Sequence, residues 1–409
     1  MTTSHRRHNS LIIALLGMLS VVTPFAVDMY LPAFTQIAAE FKTNASVVSL
    51  SLSTYFVGFA LGQILYGPLL DRFGRKRPLY CGLIVYILAC AGCAQAHSMP
   101  LFVMLRFLQA IGGCVAQVAA LAMVRDFFPA KESAKIISLL VLIIGISPLL
   151  APSIGSAILS GLGWRWIFVL LGSNALLILT LIFFLLPEGH TPDPSISLRP
   201  RPILEGFWNI FKEPQFLVYT LAGAFSFSGL FAYVAGSPII FMDGFHMSTK
   251  AFGMTFATLT MGFIGGSQLN VFLLRSFRSQ QIFLYALLVQ VLDGLVFFAG
   301  MRSHMFGLPA TMILFFIFLS CIGLTYPNAA ALALGPFTRD AGSASALLGF
   351  MQTGLGALLS MGIGVLGASS IVTLLSSTAL AALLILMAGR KMIGQIAERD
   401  EPEVITVMH

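Results

Sequence analysis

Long apolar runs separated by short polar intervals set the pattern of this chain. The runs cover residues 11–33, 47–69, 79–96, 100–123, 136–160, 165–186, 216–240, 251–274, 281–301, 308–334, 343–366 and 368–389. Most are close to the roughly 20 residues an α-helix needs to cross the hydrocarbon core of a bilayer. A helix also satisfies its backbone hydrogen bonds within one segment, which lipid demands. Twelve membrane-spanning helices are therefore expected. The longest polar interval, 187–215, holds Pro187, Pro192, Pro194, Pro200, Pro202 and Pro214 beside Arg199, Arg201 and Lys212. Such a segment reads as a linker. It divides the chain into an N-terminal six-helix bundle (1–186), the linker (187–215), and a C-terminal six-helix bundle with a tail (216–409). Sliding one half over the other sets Gly62 against Gly266 and Phe73 against Phe277, but Asp71 against Arg275. An internal repeat, if present, is degenerate.

Composition sharpens this picture. Of the 409 residues, 57% are hydrophobic and 10% charged, whereas a soluble domain carries about a quarter charged residues. Most of the exterior must face lipid. Arg6 and Arg7 precede the first run like the start of a signal peptide, but no small-residue cleavage site interrupts the run, so an uncleaved span is expected. Of the 23 Lys and Arg residues, Lys42, Arg165, Lys250 and Arg302 fall on one set of loops and Arg106 within a span; all others fall on the opposite set or at the termini. The positive-inside rule then places both termini and the linker in the cytoplasm. The net charge of +7 is this topology signal and not a nucleic-acid footprint.

Cys81, Cys90, Cys93, Cys114 and Cys321 lie inside apolar runs and read as small core residues. His5, His8, His97, His190, His246, His304 and His409 lie at termini or in expected loops, without zinc-type spacing. No metal and no cofactor is expected. No Gly-x-x-x-x-Gly-Lys-Ser/Thr motif occurs, and the linker is too short for a nucleotide-binding domain, which argues against a primary pump. No set of residues converges on a catalytic pattern, so an enzyme is not expected.

The strongest local motif is Gly67-Pro-Leu-Leu-Asp71-Arg72-Phe-Gly74-Arg75-Lys76-Arg77 between spans 2 and 3. A plain basic loop explains the cations but not Asp71, nor Gly67 one helical turn before it. Glycine permits close backbone approach, and a carboxylate suits the N-terminus of another helix. The loop resembles the signature of the major facilitator superfamily, Gly-x-x-x-Asp-Arg-x-Gly-Arg-Arg/Lys. Arg106-Phe-Leu-Gln109-Ala-Ile-Gly112 resembles its span-4 motif, with Ala110 in place of a glycine. Gly145-Ile-Ser-Pro148-Leu-Leu-Ala-Pro152-Ser-Ile-Gly155 resembles its span-5 antiporter motif, without the glycine before proline. A closer resemblance is to the bicyclomycin/chloramphenicol-resistance group of drug:proton antiporters. It rests on Asp28-Met-Tyr-Leu-Pro32-Ala, Tyr326-Pro-Asn328-Ala-Ala-Ala-Leu-Ala-Leu, and Ala341-Gly-Ser-Ala-Ser-Ala-Leu-Leu-Gly-Phe-Met-Gln352. The resemblance implies an all-α polytopic membrane protein of the major facilitator fold, in the bacterial inner membrane, exchanging drugs for protons by alternating access. It also implies that Asp71 docks at the span-11 N-terminus, at Gly342-Ser343, in the outward-open state, with Arg72 and Asp126 in the associated charge network.

Only Asp28, Arg106 and Asp293 lie well inside spans, where charge is costly and usually functional. At 1.5 Å per residue, Asp28 lies about 25 Å from the inner end of span 1 and Arg106 about 9 Å below the outer surface. Both fall in the outer half and could share an aqueous cavity. One reading makes Asp28 the proton carrier beside Arg106; the other makes them a static pair that fixes packing. Asp293, after Gln290, could be structural or face a crevice. Tyr30, Tyr55, Gln109, Gln117, Phe225, Tyr233, Asn328 and Gln352 are candidate substrate contacts, although helix–helix packing is the simpler role for any one of them. The expected partners are small lipophilic drugs (phenicol, bicyclomycin or sulphonamide-like), protons and the lipid bilayer, with no nucleic acid, and a monomer is expected. The alternative is a proton-coupled importer or exporter of a small metabolite such as a sugar, amino acid or peptide.

Overall fold

The computed structural model describes residues 3–128, 130–188, 192, 200–303, 305–337, 341–367 and 370–400. The rest of the linker and the end of the tail, 401–409, lie outside the described residues. The first bundle contains α1 (Thr3–Asp28), α2 (Phe34–Glu40), α3 (Ala45–Phe73), α4 (Lys76–Ala94), α5 (Met99–Phe127), α6 (Ala130–Gly161) and α7 (Arg165–Leu185). The short α8 (Pro200–Phe211) precedes the second bundle. That bundle contains α9 (Pro214–Pro238), α10 (Thr249–Leu273), α11 (Ser279–Arg302), α12 (Leu308–Leu334), α13 (Ala341–Leu366) and α14 (Ile371–Asp400). Twelve segments are long and apolar enough to span a membrane.

Local chemistry sets many of the boundaries. Asn44 caps α3 by accepting from the Val47 amide at 2.9 Å, and Ser248 caps α10 by accepting from Ala251 at 3.3 Å. Gly367 at φ +83° ends α13 in the left-handed region, which separates two spans with almost no polar sequence between them. The first span departs from the expected 11–33. Pro32 cannot donate to the carbonyl four residues earlier, that of Asp28, and its ring crowds that carbonyl. The helix breaks at Asp28, turns through Leu31–Ala33 and resumes as α2. Within the linker, 200–211 is helical, and Leu204 and Trp208 project one turn apart on its exposed side.

Within the first bundle α5 packs on α3, α4 and α1, while α4 also meets α7 and α1 meets α6. Within the second, α9 packs on α13, α14 and α12, and α12 on α10 and α11. The degenerate repeat has a structural counterpart. A Cβ at Gly62 on α3 would strike Cys114 on α5, and one at Gly266 on α10 would strike Ser320 on α12. The second and fourth spans of each half thus approach through matching glycines.

The bundles meet chiefly through α3 against α13 and α6 against α10. The two ends of the molecule are named here by Glu40 and Asp71. Toward the Glu40 end, Ser53 and Ser360 hydroxyls join α3 to α13 at 2.7 Å, and the Ser156 hydroxyl donates to the Thr249 carbonyl at 3.1 Å, joining α6 to α10. Toward the Asp71 end a cavity of about 610 Å³ separates α3 and α5 from α13. The bundles are therefore closed at one end and parted at the other.

Candidate functional site

The break that Pro32 imposes places Asp28 in the last turn of α1, against the negative end of the helix dipole. Asp28 is 4% exposed, and among the described residues no hydrogen bond or ion pair engages its carboxylate. Removing an ionised carboxylate from water is costly unless a partner offsets it. The protonation state of Asp28 is thereby coupled to whether water reaches it. The break is held from behind by α6, whose Gly155 lies so close to the Met29 carbonyl that a Cβ would collide with that backbone. This part of the antiporter-like motif thus seats the segment carrying Asp28. Pro152 accepts from the Ser156 hydroxyl at 2.8 Å, and its backbone faces Gly253 of the other bundle. Pro148 also lies within α6, one turn earlier.

Gly155→Ala should reduce thermal stability in detergent and slow transport, because overpacking costs about 1–3 kcal/mol. Gly145→Ala, on the same helix with open space around it, should match the parent protein in the same melting and transport assays.

Arg106 does not pair with Asp28, which corrects the expectation drawn from their common depth. The guanidinium is fully buried and sits 4.2 Å from the ring centre of Tyr30 and 4.4 Å from that of Tyr55. It donates to the Ala26 carbonyl at 3.0 Å and to the Gln109 side chain at 2.5 Å. Gln109 in turn donates to the Cys90 sulfur at 3.0 Å, and Tyr30 and Ser51 hydroxyls lie 3.3 Å apart. A desolvated cation–π contact is worth about 2 kcal/mol. Arg106, Tyr30, Tyr55 and Gln109 form a cation cage that ties α1, α3, α4 and α5 together.

The other candidate contacts disperse. Asn328 donates to Asn270 at 2.5 Å, joining α12 to α10. Phe225 packs against the core of the second bundle near the Asp71 end. Gln352 on α13 is buried with its amide nitrogen unpartnered. Gln117 lies on the wall of the cavity. Tyr233 on α9 is 1% exposed, stacks on Phe256 with ring centres 5.2 Å apart, and lies within electrostatic reach of Asp28. Asp293 on α11 lies within electrostatic range of Cys321 on α12, with one carboxylate oxygen buried and unpartnered. One turn before it, Gln290 accepts from Ser226 at 2.7 Å, whose hydroxyl also meets Thr325 at 2.8 Å.

At the Asp71 end, Arg75 bridges Asp71 at 2.5 Å and Asp126 at 2.7 Å. Arg75 therefore links the two acids of the expected gate; the Arg72 guanidinium lies over the Phe73 ring. Burial alone would lower the Arg75 pKa, but hydrogen bonds and charge from Asp126 and Asp71 outweigh it and raise the pKa. Gly74 at φ +82° makes the turn that only glycine adopts readily. Glu188, which no sequence motif marked, then accepts from the amides of Arg75 at 2.9 Å and Lys76 at 3.3 Å, capping α4 from a distance. Gly67, Asp71, Arg75, Asp126 and Ser343 share the cavity wall. No backbone approaches Gly67 in this state, and among the described residues the expected contact between Asp71 and the start of α13 is not made.

Residues 16–361 match the model of the Major Facilitator Superfamily. The chain is 31% identical over 357 residues to a bicyclomycin resistance protein homolog of Haemophilus influenzae, covering 87% of this chain and 89% of the relative. It is 32% identical over 379 residues to the multidrug resistance protein MdtL of Escherichia coli, covering 87% and 92%. Among solved structures, the fold is similar to a D-xylose–proton symporter, with TM-score 0.76 at 16% identity over 92% of this chain and 97% of the other. It is also similar to a bacterial homolog of the human lysosomal transporter Spinster in an inward-facing, occupied conformation, with TM-score 0.71 at 15% identity over 96% and 97%.

Proposed function

The chain belongs to the major facilitator superfamily and is a multi-pass membrane transporter, and from that premise we propose that it exports small lipophilic drugs in exchange for protons by alternating access. The observation that carries this reading is Asp28, a buried carboxylate without a partner, at a helix break beside the junction of the two bundles. A proton taken up there from one side and released to the other drives the cycle. The drug-resistance names of the relatives support export of drugs. Of the candidate contacts, Gln117 faces the 610 Å³ cavity together with Phe59, Ile64 and Leu121, and such mixed apolar and amide walls suit lipophilic substrates.

The loop charges orient the Asp71 end toward the cytoplasm, so the described state is open to the inside of a bacterial inner membrane. Drug enters this cavity while Asp28 has given up its proton. The Glu40 end then parts, and the Asp71 end closes as Asp71 meets the start of α13. Proteoliposomes loaded with a phenicol or bicyclomycin test this reading: an imposed pH gradient should drive the drug against its own gradient. Accumulation that ignores the pH gradient would overturn proton exchange.

Asp71→Asn should leave insertion intact and slow efflux. A charge at a helix N-terminus is worth about 0.3–1 kcal/mol, so the equilibrium shifts by roughly two- to fivefold toward the state open at the Asp71 end. Crosslinking between cysteines placed at Asp71-end positions of α3 and α13 should fall in the same variant, and unchanged crosslinking would remove the docking role.

A further inference from the structure

Two buried groups of complementary chemistry, one from each bundle, lie near the bundle junction without a bond between them. Asp28 belongs to the first bundle and presents an acceptor that nothing engages among the described residues. Tyr233 belongs to the second, and its hydroxyl is buried with no hydrogen-bond partner. A buried hydroxyl left unbonded is uncommon in native structures. The packing holds the ring while leaving its tip unused. Tyr233 stacks on Phe256 and lies 5.3 Å, centre to centre, from Phe315. Helix α9 also meets the Leu31–Ala33 turn directly after the Asp28 break.

We propose that Tyr233 is the positioning residue that reads the charge of Asp28: in the drug-free protein its hydroxyl donates to the ionised carboxylate and thereby holds the Glu40 end shut. A hydrogen bond to an ionised acceptor is roughly twice as strong as one between neutral groups. The contact strengthens when Asp28 has lost its proton and weakens when it regains one. The bond is made between bundles, so the proton state of one bundle sets the position of the other. This assigns Tyr233 to coupling and not to drug contact, and it rests on the reading of Asp28 as the proton carrier.

The surrounding charges leave this pair to itself. Arg106 on α5 is committed to Ala26 and Gln109, with Tyr30 and Tyr55 on its faces. The Ile143–Gly161 span of α6 carries no ionisable side chain, and α7 and α10 carry only Arg165 and Lys250 at their starts.

The experiment places spin labels at His97→Cys and Lys250→Cys, exposed positions on opposite bundles at the Glu40 end, with the exposed Cys81 changed to Ser. Distance distributions are recorded in nanodiscs across a pH series. With Tyr233 present, the short-distance population should grow as pH rises. Tyr233→Phe should reduce that growth several-fold, and in an Asp28→Asn background the same substitution should change nothing. Equal distributions for the Tyr233→Phe variant and its parent at every pH would overturn the proposal. So would an effect of Tyr233→Phe that persists undiminished with Asp28→Asn. Efflux by Asp28→Asn, measured separately, decides whether Asp28 carries the proton, so failure of that reading is told apart from failure of the pair.

Discussion

Asp28→Asn is expected to abolish proton-driven efflux while leaving drug binding in place. Asparagine keeps the size and hydrogen-bonding capacity of aspartate but cannot ionise. Asp28 takes part in no ion pair among the described residues, so its replacement removes no structural contact and should not unfold the first bundle. The measurement is substrate-induced proton release from detergent-solubilised protein, paired with drug binding under the same conditions. Binding should persist within a few-fold and proton release should vanish. Proton release equal to that of the parent protein would remove Asp28 from the mechanism and direct attention to Asp293, the other acid within a span with an unpartnered oxygen.

Arg106→Ala is expected to be the most damaging single change, through the fold. The substitution empties a fully buried volume, withdraws the donors from the Ala26 carbonyl and the Gln109 side chain, and removes the cation between two tyrosine rings. Lost cation–π contacts and unsatisfied acceptors together cost on the order of 3 kcal/mol or more. The yield of folded protein and its melting temperature in detergent should both fall. Arg106→Lys keeps the charge but not the planar fork that reaches two acceptors, and should recover part of the stability. If Arg106→Ala melts like the parent protein while losing only proton release, the cage is not structural and Arg106 acts on the proton directly.

Hydropathy by itself determined the twelve spans, because the bilayer imposes a length on any apolar helix regardless of what it packs against. The motifs along the chain likewise determined the superfamily, and the loop around Asp71 marked one end of the molecule. Where spans begin and end was legible for the same reason, except at Pro32, where a lost backbone donor broke the first helix. Depth along a helix can be counted from sequence, and it put Asp28 and Arg106 in the same layer. The direction in which each points depends on how the helices are rotated and tilted against each other, which only tertiary packing decides. That rotation turned Arg106 toward Tyr30 and Tyr55, and set Tyr233 on a helix of the other bundle within electrostatic range of Asp28. It also set Arg75 between Asp71 and Asp126, and brought Glu188 from beyond α7 to cap α4. These contacts join residues far apart in the chain, and no local spacing rule encodes them.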